Sequence, residues 1–462
     1  MLKKMKKRII ASILMLALVG GIYVPAGYVG AAAYAVAAEA ETSQNWATGY
    51  IYKDNKEFNR LVDENYAKLI ANPNGYEELR IPKSVHGIGR DRISQNAHVV
   101  GDKLIAAGYD AYVIGGCMRD YILGKGCDDF DLVTNASLEE QKKLFGDELR
   151  THETETGRVF AYLYINEERI DLATYQNIPK EYHGKDRIPD FDIENYSMTS
   201  NSVVFDSFQR DLTMNAIYYD LKTEDMVDFH GGIHDIRENI IKTNVGPDMI
   251  WSIDAVAAIR SIRFKAKYGA AYSDECEKEM RDNGTEYLAR LSDYDARYQM
   301  GKMFTGGYSK KCFDIMVEYG VLKTLLPELG ETATKSDYIK YVDEELETID
   351  AKRSEDGTVL SDEVFDVILW PTTVANIKKV KAVKKGFTAT WYKVDNATGY
   401  EVRYSLKKNM KNAKKVKTKK LKLAIKNLKA KKKYYVQVFA YRKYSAGSIY
   451  NTASQKKQVK SL

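Results

Sequence analysis

Cysteine is scarce. Four occur in 462 residues, Cys117, Cys127, Cys276 and Cys312, and no two form a C-x-x-C pair or another metal-ligand spacing, which argues against zinc. Spacing leaves open whether they are thiols or whether Cys117 and Cys127 bridge a turn between them. Charge is missing from Ile9 to Ala38, directly after Lys3, Lys4, Lys6, Lys7 and Arg8. A basic start, an apolar core over Ile9–Val19 and small residues around Ala31–Ala40 read as a signal peptide. An uncleaved membrane anchor is the rival, because the uncharged run is long enough to span a bilayer; Pro25 and the alanine-rich end favour cleavage. Either way the rest of the chain is expected outside the cytoplasm, secreted or attached to the cell surface. Acid is what the carboxy-terminal part lacks: over 371–462, 24 Lys and two Arg meet only Asp395 and Glu401. That stretch carries +24 and residues 1–40 carry +4, so a total of +6 leaves −22 for residues 41–370. An acidic body is a poor match for a polyanion and a basic tail a good one. The lysines are either a solvated face or a contact with nucleic acid or an anionic cell-wall polymer.

The length implies two or three domains. Residues 109–134, YDAYVIGGCMRDYILGKGCDDFDLVT, organise them. The apolar run Ala111–Ile114 reads as a buried strand, broken at Gly115-Gly116 and followed by a helix from near Met118. Such a turn lets the backbone approach an anion, and Arg119 and Asp120 stand beside it. Ten residues on, Asp129 and Asp131 alternate on an extended segment and share a side. Paired carboxylates repel unless a cation lies between them, and Mg²⁺ completes its shell with few carboxylates plus substrate phosphates. Each half alone reads as a glycine turn or as two solvated aspartates; together, in this order, they point to nucleotidyl transfer.

GGCMRD and DDFDLVT resemble the head-domain signature of the class II tRNA nucleotidyltransferase and bacterial poly(A) polymerase family, within the polymerase-beta-like superfamily. The resemblance implies a multidomain protein with an α/β nucleotidyltransferase head, an α-helical neck, Mg²⁺ as cofactor, ATP or CTP as NTP, and an RNA 3′ end as acceptor. It implies that Asp129 and Asp131 bind metal, and that Asp171 in RIDLATYQ is a third carboxylate that orients a metal or takes the hydroxyl proton. DSFQRDLTMNAIYYD, residues 206–220, is similar to the family's D-x-x-R-R-D-F-T-I-N-A, so Arg210, Asp211 and Asn215 are expected at the ribose and phosphates, with Gln209 where the family has a second arginine. VDFHGGIHDIRENIIKTNVG matches a linking segment through Asp228, Gly231, Gly232 and Asp235, for which turn and capping roles are expected. In WSIDAVAAIRSIRFKAKYG, Asp254, Arg260 and Arg263 are kept for the nucleotide, whereas the family's glutamate is Ile253 and its base-reading arginine is Ala257. Weak discrimination between CTP and ATP follows. YGVLKTLLPEL resembles the family's helix ending in G-x-L-x-x-L-x-P-E, the later ELETIDAKRSEDGTVLSDEVFDVILWP tilts the resemblance toward poly(A) polymerases, and the pattern ends at Trp370-Pro371.

Residues 41–95 read as a helical extension with a helix over Glu57–Ala71 and a turn at Asn72-Pro73-Asn74-Gly75, 96–250 as the head, 251–330 as the neck and 331–372 as a truncated helical body and linker. Within the head, a helix ends near Ala107, Ser137 and Glu140 have capping-box spacing for a helix over Ser137–Leu149, and Arg158–Ile165 with Arg169–Tyr175 fit a hairpin turning near Asn166. Pro179–Asn201 reads as a loop over the site. Residues 373–462 read as an all-β sandwich resembling a fibronectin type III module, with strands at Phe387–Tyr392, Tyr400–Tyr404, Leu421–Ile425 and Tyr434–Tyr441 separated by lysine-rich turns. The expected function is an exported Mg²⁺-dependent nucleotidyltransferase. The alternatives are a surface binding protein that kept the fold without the reaction, or transfer to a non-RNA acceptor.

Overall fold

The computed structural model describes residues 49–72, 76–127, 129–153, 159–176, 202–356 and 361–462. Residues 1–40, where an export signal is expected, Pro73–Gly75 of the expected turn and the stretch 179–201, expected as a loop, lie outside them. Among the described residues no helix is long and apolar enough to cross a membrane.

The head is built on eight strands: β1 (Leu79–Ile81), β2 (Tyr112–Ile114), β3 (Asp131–Thr134), β4 (Arg150–Glu153), β5 (Val159–Ile165), β6 (Glu168–Thr174), β7 (Ile217–Asp220) and β8 (Met226–Asp228). They lie in the order β1-β8-β7-β2-β3-β6-β5-β4. All neighbours are antiparallel except β3 and β6. The central strands β2 and β7 are buried along their whole length, as expected of short apolar runs covered on both faces. Local chemistry sets the helix starts. Asn55 and Ser94 cap helices Lys56–Ala71 and Gln95–Ala106, and Ser137 with Glu140 forms the expected capping box. That helix stops at Phe145, earlier than expected, because Gly146 takes a positive φ. The β5–β6 hairpin turns at Asn166-Glu167, both at positive φ, which suits the right-handed twist of the flanking strands.

The neck centres on helix Ala255–Tyr268, which packs against helices Pro247–Ile253, Asp274–Leu288, Asp293–Thr305 and Ser309–Glu318. Helices Ser336–Asp356 and Ser361–Ile368 follow. The carboxy-terminal part is the expected all-β domain. One sheet joins Ile377–Val383, Gly386–Trp391 and Lys422–Ile425; the other joins Lys414–Thr418, Gly399–Ser405, Lys433–Tyr444 and Gly447–Tyr450, with Lys457–Lys460 beside Lys433–Tyr444. Phe387, Ala389, Trp391, Val402, Val436 and Val438 fill the space between them. One expectation is corrected: Lys414–Thr418 is an edge strand and not a lysine-rich turn. Lysine on an edge blocks further strand pairing, so its abundance there does not signal a loop.

The sandwich is tied to the helices by Arg442, which is buried. Its Nη1 donates to Tyr341 Oη at 2.8 Å, its Nε to the Asn396 carbonyl at 3.2 Å, its Nη2 pairs with Asp366, and its guanidinium lies 4.3 Å from the Trp370 ring. Arg442→Ala leaves the half-buried Asp366 carboxylate with only the Asn396 amide as donor and empties this seat. We expect a loss of about 2 to 3 kcal/mol, read by chemical denaturation, and separate unfolding of sandwich and helices in place of one transition.

Candidate active site

The turn after β2 is possible only with glycine at its first position: Gly115 has φ +87° and ψ −144°. A Cβ there would lie 3.2 Å from Asp131 Oδ2, so the absent side chain makes room for a carboxylate. Asp131 opens β3, and the parallel register sets it directly against Asp171 on β6. Burial raises the Asp131 carboxyl to about 7, with the charges of Asp129 and Asp171 adding to the rise and Arg210 and Arg260 opposing it. Burial of its carboxyl and the Asp171 charge also raise Asp129, against Lys302 and Arg169, although the residue is exposed on its outer side. Asp171 is held by Arg169, whose Nε donates to Oδ1 at 2.8 Å. Among the described residues no group of three acidic, histidine or cysteine ligands is close enough to hold an ion as it stands. The donor set nonetheless fits Mg²⁺. Two carboxylates, each raised by burial and then by neighbouring carboxylate charge, leave most of a six-oxygen shell to phosphate and water.

Five of the sequence-predicted residues join in one polar chain. Arg119 donates to Asp120 through Nε at 2.9 Å and Nη2 at 3.0 Å, and through Nη1 to Asn215 Oδ1 at 2.7 Å. Asn215 Nδ2 donates to Asp211 Oδ1 at 3.2 Å, and Asp211 Oδ2 pairs with Arg260 Nη2 at 3.0 Å. Gly116 belongs to this arrangement, since a Cβ there would lie 2.9 Å from Arg119 Nη2. Arg119 lies on the helix that starts at the glycine turn, but it does not face solvent. It is buried, with its guanidinium 5.1 Å from the Phe264 ring and 5.7 Å from Tyr268. Burial makes it the strut between the glycine turn and the neck.

Arg210 stays at the site but is forked onto Asp206, at 3.0 Å from Nε and 2.6 Å from Nη2. Asp254 and Arg263 are not in the chain. Asp254 caps helix Ala255–Tyr268 by accepting from Val256 N at 2.9 Å. Arg263 is buried against Phe264 at 4.6 Å. Ala257 is 1% exposed, so its side chain faces the core. All four cysteines are thiols. Burial, then the neighbouring Cys127, raises the Cys117 thiol, and Cys127 Sγ donates to the Asp129 carbonyl at 3.2 Å.

Two contributors escaped the sequence reading. Asp206 is fully buried and gathers Arg210, Tyr218 Oη at 2.9 Å and the Gln176 N–H at 3.2 Å. It is the first residue of the quoted 206–220 motif, and that position was the available signal. Lys302 acts on Asp129 from helix Asp293–Thr305; nothing in the sequence connects residues so far apart.

Residues 111–242 match the Poly A polymerase head domain, and residues 297–332 match a probable RNA and SrmB-binding site of polymerase A. Over 317 residues the chain is 28% identical to Poly(A) polymerase I of Escherichia coli O6:H1, covering 67% of this chain and 66% of that protein. It is 28% identical over 215 residues to the CCA-adding enzyme of Lactobacillus helveticus, covering 46% of this chain and 50% of that one. A solved CCA-adding enzyme in complex with ATP aligns with a TM-score of 0.49 and 22% identity, over 63% of this chain and 65% of that one. The chain thus spans just under two thirds of the length of the first relative and half of the second. Residues 111–242 thus resemble a Poly A polymerase head domain, and the chain is similar to poly(A) polymerase I and CCA-adding enzymes over the aligned spans.

Proposed function

We propose that this chain is an exported, Mg²⁺-dependent nucleotidyltransferase that moves a nucleoside monophosphate from an NTP to the 3′ hydroxyl of an RNA and releases pyrophosphate. The observation that carries the reading is the β3–β6 register, which holds Asp131 against Asp171 beside the Gly115 turn. The 3′ oxygen bonds to the α-phosphorus as the bond from that phosphorus to the bridging oxygen of pyrophosphate breaks. The hydroxyl proton passes to a base, the role this reading gives to Asp171. Asp129 and Asp131 would hold the ion, which when bound neutralises phosphate charge and eases loss of that proton. Arg210 and Arg260 border the carboxylates and supply charge toward phosphate oxygens, while Asp211 and Asn215 suit ribose hydroxyls. The Arg119–Asp120 pair supports Asn215 from the glycine turn, and Asp254 and Arg263 are read as supporting residues on the neck helix.

Ala257 and Ile253 offer no donor to a base. We therefore expect kcat/KM for ATP and CTP to lie within about tenfold of each other in steady-state assays. The sandwich is read as a fibronectin type III module. Tyr434, near the start of its long strand, accepts at Oη from the Lys429 N–H at 3.1 Å, a corner contact of immunoglobulin-like sandwiches. Its lysines suit an anionic cell-wall polymer, and the uncharged run after Arg8 suits export.

The test is pyrophosphate release by the purified chain with Mg²⁺, each NTP and single-stranded RNA, against Asp129→Ala and Asp131→Ala. Release above both controls is expected, and none above them on RNA or any other acceptor overturns catalysis. A second reading, a binding protein without the reaction, draws on one observation: Arg119, Arg210 and Asp171 already have internal partners. Metal-dependent binding of fluorescent ATP or CTP analogues counts against it.

A further inference from the structure

Helix Asp293–Thr305 brings Lys302 to the site, and the stripe leading to that lysine is unusual. Tyr294, Tyr298 and Lys302 are spaced four apart and lie one above another. The two tyrosines are 67% and 49% exposed, which is uncommon for such large rings in this chain. Their rings are stacked, with centroids 6.1 Å apart and planes within 5° of parallel. Lys302 Nζ lies 4.7 Å from the Tyr298 ring centre. The helix packs against helix Ala255–Tyr268, whose Arg260 joins the polar chain of the site, so the ladder leads from solvent toward the nucleotide end of the head. Acid at the start of the helix is already engaged. Asp293 pairs with Arg297 at 3.2 Å, and Asp295 accepts from Ser292 Oγ at 2.6 Å.

An i, i+4 tyrosine pair on a soluble helix needs no ligand to exist. What singles this one out is its end point. Exposed parallel rings offer flat faces of base size, and a lysine at their inner end suits a phosphate linkage. A duplex hides its base faces, so a stacking face selects unpaired bases. We propose that Tyr294 and Tyr298 form a platform on which the last unpaired bases of a single-stranded RNA acceptor stack, with Lys302 taking a phosphate as the 3′ end enters the site. The inference rests on the nucleotidyl-transfer reading for the direction of the strand. It goes beyond the RNA-binding match by naming the residues, the contact and the strandedness.

The experiment measures binding of a 5′-labelled oligoadenylate of about ten nucleotides to the full chain by fluorescence anisotropy, without NTP. Tyr294→Ala and Tyr298→Ala are each expected to weaken it about tenfold, and Tyr298→Trp to retain it, because a larger ring restores the stacking face. A blunt RNA duplex of equal length should bind equally to wild type and variants. KM for the NTP should stay unchanged in all of them. Alanine variants that bind the oligonucleotide as wild type does overturn the platform, as does an equal loss on duplex. Failure of the platform and failure of catalysis separate cleanly. A wild type that extends RNA while the alanine variants do so with unchanged acceptor KM loses only the platform. A wild type that binds through the tyrosines yet releases no pyrophosphate loses only the reaction.

Discussion

Asp131→Asn is expected to cut pyrophosphate release by about a thousandfold or more while making the metal-free protein more stable. Both effects come from one carboxylate. Its folded-state pKa, about 7, lies above the usual aspartate value because it is buried beside Asp129 and Asp171. A raised acid pKa opposes folding: the cost is absent below about pH 4, grows as the pH rises, and is complete above about 7. At pH 8 asparagine removes that cost, for a gain of about 2 kcal/mol once the partial exposure of the site is allowed for. At pH 4 the gain should vanish. Adding Mg²⁺ should raise the melting temperature of the wild type and leave that of the variant unchanged, because a ligand that binds only the folded state stabilises it by mass action. Four melting curves at pH 8, each protein with and without Mg²⁺, and one of each protein at pH 4 suffice. Unaltered release by the asparagine variant, or no rise in its metal-free melting temperature, would remove Asp131 from the role given to it.

Much of this was legible locally. A short apolar run, two glycines and alternating aspartates placed Gly115, Asp129 and Asp131 together because strand, glycine turn, short helix and strand follow one another in the chain. The hairpin was legible from Asn166 for the same reason, and the Ser137 capping box needs only four residues. What sequence withheld was burial and long-range register. Nothing local says that β6 pairs parallel to β3, and so nothing local says that Asp171 faces Asp131. Arg119 shows the other limit. A charged residue beside a glycine turn reads as exposed, but Phe264 and Tyr268 from the neck cover it and make it a strut. Ala257 was read as a lost base contact. Its burial adds that the helix face carrying it is packed into the core. Lysine content misled over Lys414–Thr418 because an edge strand and a turn share that composition.

Gly232→Ala is expected to unfold the head, although Gly232 touches no ligand site. A Cβ at 232 would lie 2.1 Å from the Thr213 carbonyl oxygen and 2.6 Å from its carbon, and neither belongs to a flexible side chain. Thr213 cannot retreat. Its N–H donates to the Lys242 carbonyl at 2.9 Å, and its hydroxyl donates to the buried Asp235 at 2.7 Å. Helix Gly232–Glu238 cannot shift outward either, because Asp228 accepts from the N–H groups of His230, Gly231 and Ile233 at 2.8 to 3.0 Å. One added methyl must therefore break the seat of Thr213 or the Asp228 turn. A cost above about 4 kcal/mol follows, in the range reserved for core overpacking that the backbone cannot relieve. Asn239→Gly, at the left-handed carboxy-terminal cap of the same helix, should change stability by less than about 1 kcal/mol. Soluble yield and denaturation midpoints of the two variants make the comparison. Because Asp211 and Asn215 flank Thr213, any Gly232→Ala protein that remains folded should also bind NTP poorly. Wild-type stability in that variant would mean that the glycine pair does not clamp the nucleotide segment, and the chain from Asp120 to Arg260 would then lose the support that fixes its centre.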